Sequence, residues 1–307
     1  MTAYVLRRLL LTIPVLLAIV TLVFAIRPLV PGDPVQIMFF GQSANPEVVA
    51  NIRKQLGLDK SIPEQYLMYV GNVLHGDLGT SITTRRPVME EIASRYPATL
   101  ELAVGAFLVS VAVGLASGIV AALHKDSPID TLAMVVATAG ISMPAFWFGL
   151  LAIYFFSVRL GWFAVIPDGS FKSLILPATT LGLIASSIVA RLVRSAMLEV
   201  LSQEYVQTAR AKGLTERRVV IQHALRNAAI PVVTIAGLQF GGLLTGAFII
   251  EVVFAWHGIG ELAVQAFAKR DFPMIQGVTI VVATTYVLVN LAVDVICALL
   301  DPRVSYR

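Results

Sequence analysis

The chain has 307 residues, of which 57% are apolar and only 14% are charged. A soluble chain of this length needs more charge to cover its surface, so the composition favours a protein embedded in a bilayer. The 23 basic residues barely exceed the 19 acidic ones, which is not the balance of a nucleic-acid-binding protein. The lone cysteine, Cys297, cannot form an intrachain disulfide and is interpreted as a small packing residue.

Several stretches are long and apolar enough to cross hydrocarbon, which takes about 20 residues because no water satisfies the backbone there. In chain order the predicted spans are Leu9–Ile26, Leu102–Leu123, Thr131–Val158, Ser173–Ala190, Asn227–Ile250 and Phe272–Val293. Pro144 is expected to kink the third span. The first span follows Arg7 and Arg8, but it is too long for a signal peptide and lacks a small-residue cleavage site.

The distribution of Lys and Arg predicts the orientation, because these residues are enriched in cytoplasmic loops. With the N-terminus inside, the inner segments carry Arg7, Arg8, Lys125, Arg191, Arg194, Arg210, Lys212, Arg217, Arg218, Arg226, Arg303 and Arg307. The short outer loops carry far fewer: Arg159, Lys172, Lys269 and Arg270. We therefore expect an all-α integral membrane protein with six transmembrane helices, both termini cytoplasmic, and one domain over residues 1–307.

Residues 28–97 form the long outer segment, which is too polar to span a membrane. Two short amphipathic helices are predicted in it. The first begins at Asn45-Pro46-Glu47 and ends at Gly57, with Val48, Val49, Ile52 and Leu56 on one face. The second follows a capping box of Ser61 and Glu64 and ends at Gly76, with Tyr66, Tyr69, Val70, Val73 and Leu74 on one face. These helices either cover the outer helix ends or dock an external partner.

The sequence contains no recognisable energy source or enzyme site. It has no phosphate-binding loop, since Asp77 follows the glycine pair Gly71 and Gly76 where a lysine would have to stand. The partial dinucleotide pattern Gly258-x-Gly260-x-x-Ala263 lacks a preceding strand and is interpreted as a turn. The four histidines are scattered without metal-ligand spacing. We expect no enzyme activity, cofactor or metal in this chain.

The apolar pattern of the sixth span continues past Val293 to Leu300, and Asp294 is the single acidic residue within it, near the predicted inner end. Proton-driven carriers keep ionisable groups in mid-membrane. Asp294 is either a proton relay or a helix-end residue paired with a neighbouring helix.

The inner segment between spans four and five carries the densest basic charge and predicts two helices separated by Gly213. Glu204 opens the first helix and Lys212 closes it, a charge order that suits the helix dipole. Gly213 is a stop, and Thr215 can cap a second helix. Val219, Val220, Ala224 and Ala228 fall on one face of that helix. We call residues 204–228 the elbow, within a cytoplasmic segment of residues 195–228. Because basic inner loops are expected from topology alone, this segment is either an ordinary inner loop or a coupling segment that docks a soluble partner.

This segment resembles the integral membrane subunits of bacterial ABC importers. In that family the segment carries Glu-Ala-Ala, then a glycine, then Ile-x-Leu-Pro. At the corresponding positions this chain has, in the same order, Gln207-Thr208-Ala209, Gly213 and His223-Ala224-Leu225-Arg226. The dipeptide/oligopeptide permease branch is similar over Glu204-Tyr205, Thr208–Leu214 and His223–Ala228 with Pro231. Further similar runs are Pro31-Gly32-Asp33-Pro34, Leu56-Gly57-Leu58-Asp59, Gly76-Asp77-Leu78-Gly79, Phe254-x-Trp256-x-Gly258-x-Gly260, Arg270-Asp271-Phe272-Pro273 and Asp301-Pro302-Arg303. His257 departs from the proline usual in that branch.

The resemblance implies a permease in the bacterial inner membrane, paired with a second homologous permease. It also implies two ATPase subunits that hold ATP and Mg, and an extracytoplasmic solute-binding protein. The cargo would be a di- or oligopeptide, glutathione, or a nickel chelate. The residues expected to couple to the ATPases are Glu204, Tyr205, Gln207, Thr208, Ala209, Arg210, Lys212, Gly213, His223, Leu225 and Arg226.

Small residues recur in spans two and five at spacings that let helices approach closely. Gly114 and Gly118 in span two are interpreted as packing residues. In span five, Gly237-x-x-x-Gly241 and Gly242-x-x-x-Gly246 serve either close packing or a translocation path. The candidates for the path are Gln239, Gly241, Gly242 and Thr245. Alternatives to the importer permease are a self-sufficient ion-coupled carrier and an assembly factor without a transport path.

Overall fold

The computed structural model describes residues 2–29, 47, 54 and 59–300. The predicted helix over residues 45–57 and the motifs at residues 31–34, 56–58 and 301–303 lie outside the described residues. In the described part, all regular elements are helical apart from one isolated bridge between Thr80 and Pro87. The helices are α1 (Thr2–Leu29), α2 (Ile62–Leu74), α3 (Val88–Leu123), α4 (Pro128–Ser142), α5 (Ala145–Ala152), α6 (Phe171–Leu201), α7 (Glu204–Ala211), α8 (Glu216–Arg218), α9 (Arg226–Val253), α10 (Ile259–Ala268) and α11 (Phe272–Leu300).

Five helices are single candidate membrane spans, namely α1, α3, α6, α9 and α11. Each contains a long, uncharged apolar window at or near a predicted span. Helix α3 begins at Val88, well before the predicted Leu102, because Val88 and Ile92 pack into a buried cluster. The hydropathy pattern missed this first part because it contains the charged residues Glu90, Glu91 and Arg95.

The predicted third span is broken. Helices α4 and α5 are bent by 105° relative to each other. Met143 is extended, with ψ 131°, as is usual for a residue before proline, and Pro144 caps the start of α5. Helix α5 continues as a π-helical turn over Ile153–Arg159. The kink expected at Pro144 is therefore a complete break, with α4 and α5 together replacing one straight span.

Helix α6 lies at the centre of the bundle and packs against α3, α4 and α9. Glycines allow the close approach to α3. A Cβ on Gly114 would lie 2.5 Å from the Val189 side chain, and one on Gly118 would lie 2.6 Å from the Ala190 carbonyl. The packing role predicted for these two glycines agrees with this geometry.

The two ends of the bundle differ in construction. Helix α10 follows α9 at what we call the loop end, where α2 also packs against α1. The Tyr66 hydroxyl lies 2.7 Å from Thr21 Oγ1, and its ring packs edge-on against Phe24. Glu64 accepts the Ser61 backbone N–H at 3.0 Å, which confirms its predicted capping role. Helices α7 and α8 lie at the other end of α9, the elbow end.

Candidate coupling elbow and translocation face

The elbow has a small hydrophobic core of its own. Val206 and Ala209 of α7 are buried against Val219, and Leu214 packs over them. The last turn of α6, at Val200 and Leu201, closes the cluster. The elbow therefore packs as one unit with the end of α6.

The turn between α7 and α8 is a Schellman motif. Gly213 has φ +78°, in the left-handed region that glycine adopts without strain. Its N–H donates to the Arg210 carbonyl at 2.9 Å, and the Leu214 N–H donates to the Ala209 carbonyl at 3.4 Å. No heavy atom lies within 4 Å of a Cβ built on Gly213. The requirement for glycine is therefore one of backbone conformation and not of space.

Polar contacts join the two arms of the elbow, of which the first is α7 and the second is α8 with the turn that follows it. The Arg210 guanidinium donates to Glu216 through Nε at 3.2 Å and Nη2 at 2.6 Å. This pairing lowers the pKa of the Glu216 carboxyl from its ordinary value and raises the pKa of Arg210. Asn227 at the start of α9 donates to the Tyr205 hydroxyl at 2.9 Å. The first arm is thus fixed both to the second arm and to a membrane span.

The second arm runs directly into α9 through a π-helical turn over Val219–Leu225. The four residues that the sequence placed on one face, Val219, Val220, Ala224 and Ala228, are all buried. Val220, Ala224 and Ala228 pack in a cluster with Val193 and Met197 of α6. The second arm is therefore packed against α6 and continuous with α9.

The predicted coupling residues fall into three groups. Most lie on the exposed surface of the elbow: Glu204, Tyr205, Gln207, Thr208, Arg210, Lys212, Gly213 and Arg226. His223 and Leu225 are half-buried. Ala209 is buried in the elbow core, so its contact is internal and it presents no surface to a partner.

The predicted path residues of span five lie on two sides of α9. Gln239 donates to the Ala185 carbonyl of α6 at 2.6 Å, and a Cβ on Gly241 would lie 2.9 Å from the Tyr286 ring of α11. These two residues face neighbouring helices within the chain. Gly242 and Thr245 are exposed, and nothing lies within 4 Å of a Cβ built on Gly242. Gly241 therefore packs against a neighbouring helix of the chain, whereas Gly242 lies on an exposed face of α9.

Comparison with known proteins identifies the family. A sequence model described as the inner membrane component of binding-protein-dependent transport systems matches residues 114–306, and the model of the N-terminal region of such components matches residues 1–103. Together they span nearly the whole chain. The chain belongs to this family of ABC importer permeases.

Relatives match the permease over its full length. It is 44% identical to a di/tripeptide transport system permease protein, DppB, of Pseudomonas aeruginosa. It is 46% identical to the glutathione transport system permease protein GsiC of Salmonella typhimurium, and 43% identical to that of Escherichia coli K12. Each alignment covers 100% of both chains.

Solved structures support the fold. An inward-facing MetNI methionine ABC transporter chain matches with a TM-score of 0.59 and 20% identity, over 69% of the permease and 97% of that chain. A chain of an amino acid ABC transporter matches with a TM-score of 0.52 and 19% identity, over 70% and 94%. Family membership confirms a multi-pass inner-membrane transport subunit rather than an enzyme. It also implies work with ATPase subunits and a binding protein, and it argues against a self-sufficient carrier.

A buried carboxylate that the sequence analysis missed organises the loop end of the permease. Glu251 accepts hydrogen bonds from the Thr99 hydroxyl at 2.6 Å and from the backbone N–H of Gly260 and Glu261 at 2.7 and 3.0 Å. Thr99 also accepts the Ile259 N–H at 2.8 Å. These contacts hold the first turn of α10 against α3. The sequence signal that could have indicated this contact is Glu251 itself, which ends an apolar run and is followed by Gly258 and Gly260.

Two ion pairs join spans near the elbow end. Asp130 of α4 binds Arg194 of α6, with Oδ1 2.5 Å from Nε and Oδ2 2.6 Å from Nη2. Asp294 of α11 lies 2.8 Å from Arg8 of α1. The paired helix-end interpretation of Asp294 is the one that agrees with this contact. Within the described residues, no group of three or more His, Cys, Asp or Glu residues is arranged to hold a metal ion.

Proposed function

We propose that the permease imports di- or oligopeptides, or glutathione-like peptides, with its elbow seated on an ATPase subunit in the cytoplasm. The cargo assignment rests on full-length identity of 44–46% to permeases named for di/tripeptide and glutathione transport. The coupling assignment rests on one observation, the construction of the elbow. It is a compact two-helix unit with its own core, exposed polar side chains and a packed route into two spans.

The orientation follows from the basic residues of the elbow end. Arg210, Lys212, Arg217 and Arg218 are exposed there, together with Arg226. The preference of Lys and Arg for the cytoplasmic side supports an orientation with the elbow and both termini inside the cell. The loop end, with α2 and α10, then faces the binding protein, and residues 28–97 belong to that outer surface.

The elbow transmits force without chemistry of its own. ATP and Mg bind the two partner ATPase subunits, and their closure moves the exposed elbow surface around Thr208. The movement passes along α8 into α9 by helix continuity. It also passes into α6 through the contacts of Val220 and Ala224 with Val193 and Met197.

The exposed face of α9 is assigned to the contact with the second permease subunit. Leu238, Gly242, Thr245, Ile249 and Val252 are exposed at helical spacing along one side of it. A second homologous permease covers this face, and Gly242 and Thr245 line the path at the joint. Gln239 and Gly241 act instead in packing within the chain, because both contact other spans of the same permease.

Site-specific cross-linking tests the placement of the elbow. In a Cys297→Ser background, Thr208→Cys labelled with a maleimide that carries a photoreactive benzophenone should cross-link to an ATPase subunit of the assembled importer on irradiation, because this reagent needs no cysteine on the partner. Lys172→Cys, exposed at the loop end, is the matched control and should give no such product. The placement is refuted if the control cross-links to the ATPase and the elbow cysteine does not.

Competition assays test the cargo. Uptake of a labelled dipeptide should be reduced by unlabelled di- and tripeptides or by glutathione. Reduction by a nickel chelate alone, with peptides ineffective, would assign the permease to metal-chelate transport and overturn the peptide assignment.

A further inference from the structure

Four exposed cations gather at the loop end from two segments far apart in the sequence. Arg85 and Arg86 lie in the loop before α3, and Lys269 and Arg270 lie between α10 and α11. We call these four residues the basic ridge. Lys269 lines the same small polar pocket as Thr83 and Thr84, next to the first pair.

A single buried carboxylate joins the two halves of the ridge. Asp271, next to Arg270 in sequence, accepts the Ser81 hydroxyl at 2.5 Å and the Thr83 N–H at 3.1 Å. Ser81 in turn donates its N–H to the Arg86 carbonyl at 3.0 Å and accepts the Arg85 N–H at 3.1 Å. The relative position of the two pairs of cations is therefore fixed by direct hydrogen bonds.

The backbone of the ridge is strained at two of its four residues. Arg85 has φ 59° and Arg270 has φ 54°, in the left-handed region that costs energy for any residue with a Cβ. Of the described residues other than glycine, only Asp126 and Ala255 share that conformation. Such strain persists where the surroundings enforce it and is concentrated at functional sites. At Arg270 these surroundings are the end of α10. Its N–H donates to the Phe267 carbonyl at 3.2 Å and the Asp271 N–H donates to the Ala266 carbonyl at 2.9 Å, which is the Schellman pattern of a helix C-terminus.

The buried carboxylates of Glu91 and Asp271 lie close to the ridge, but most of its exposed cations form no ion pair. Arg86 has an exposed partner in Glu90 at 3.8 Å. Within the part of the chain that the structure describes, Arg85, Lys269 and Arg270 have no carboxylate within ion-pair distance. Lys and Arg are disfavoured in the short outer loops of membrane proteins, so Lys269 and Arg270 run against the orientation signal. Their grouping there calls for an anionic partner on the outer side.

We propose that the basic ridge docks an acidic surface of the importer's solute-binding protein. The inference rests on the proposed function, because it needs the loop end to face outward. A folded protein is favoured over anionic lipid because hydrogen bonds fix the backbone positions that carry the cations relative to one another, which headgroup attraction does not need. Complementary charge of this kind raises the association rate and sets the docking register.

Binding of the ligand-loaded binding protein to the importer in nanodiscs of zwitterionic lipid tests the proposal. Arg85→Glu/Arg270→Glu should raise Kd by about tenfold or more, mainly through slower association, with the difference shrinking at high salt. Arg159→Glu/Lys172→Glu changes the net charge equally at other exposed loop-end positions and should shift Kd by less than about twofold. Arg85→Lys/Arg270→Lys keeps the charge and should keep the affinity.

The outcomes separate this proposal from the proposed function. Equal affinity of the ridge variant and the wild type refutes the ridge alone. A loss seen only in discs that contain anionic lipid refutes protein docking in favour of a lipid site. Wild-type importer that binds no binding protein refutes both proposals. If the double variant fails to assemble, Arg86→Glu/Lys269→Glu gives the same test at positions with ordinary backbone angles.

Discussion

The Thr99 hydroxyl of α3 donates to the fully buried carboxylate of Glu251, at the end of α9, at 2.6 Å. The same carboxyl group accepts the N–H groups of Gly260 and Glu261 in the first turn of α10, so three helices meet at one side chain. A helix N-terminus carries unpaired N–H groups and a partial positive charge, which a carboxylate satisfies. Because Trp256 also donates its Nε1–H to the Ala98 carbonyl at 2.8 Å, the turn between α9 and α10 is fixed to α3 twice.

Glu251→Ala is expected to destabilise the permease by about 3 kcal/mol, because it leaves several donors in the interior without an acceptor. Thermal unfolding of the solubilised importer, compared with the wild type at fixed lipid and detergent, measures the loss. Glu101→Ala removes an exposed carboxylate from the same helix as Thr99 and should change stability by less than about 0.5 kcal/mol. Equal, small effects of both substitutions would show that the Glu251 contacts contribute little.

Gly213→Val is expected to uncouple ATP hydrolysis from uptake, because a β-branched residue pays about 1–2 kcal/mol in the left-handed conformation. Gly213→Asn is the matched control, since asparagine tolerates that conformation and the space around the site is open. Substrate-stimulated ATPase activity and uptake are measured side by side in proteoliposomes. Full coupling in the valine variant, correctly assembled, would remove the turn from the mechanism.

Breaking the Asp130–Arg194 pair from one side should lower the unfolding midpoint, because it leaves a charge between α4 and α6 without its partner. Asp130 is nearly inaccessible, whereas the Arg194 side chain is 26% exposed, so Arg194→Gln should be the more harmful single change. The double variant Asp130→Asn/Arg194→Gln should be milder than the sum of the singles. A double-mutant cycle on unfolding midpoints measures the coupling, and strict additivity would contradict it.

Asp294→Asn should leave the pH dependence of uptake unchanged, because Asp294 is paired with Arg8 at a helix end. Both side chains are partly exposed, so the stability loss should stay below about 1 kcal/mol. Uptake measured with and without a proton gradient gives the answer. A loss of gradient-dependent accumulation in this variant would support the interpretation of Asp294 as a proton relay.

Features with a local physical cause were predictable from the sequence. The apolar runs predicted the spans, and Gly213 after a helix with basic residues in its last turn predicted the turn of the elbow. The face formed by Val219, Val220, Ala224 and Ala228 followed from helical spacing and is buried as expected. Each of these depends only on neighbours within a few turns.

Features that depend on distant partners were not predictable. Glu251 and Thr99 lie on different spans, and Asp271 binds a loop near residue 81, so no pattern within either segment indicates the contact. Ala209 matched a family position but is buried, because Val206 and Val219 close over it in the folded elbow. Pro144 indicated a kink, but the angle of the break depends on how α4 and α5 pack.

ATP-driven uptake into proteoliposomes tests the central claim most directly. The permease is reconstituted with its second permease and ATPase subunits, with the binding protein and labelled peptide outside and ATP inside. We predict accumulation that requires ATP, the ATPase subunits and the binding protein together, and none by the permease alone. Accumulation by the permease alone, driven by an ion gradient without ATP, would contradict the account.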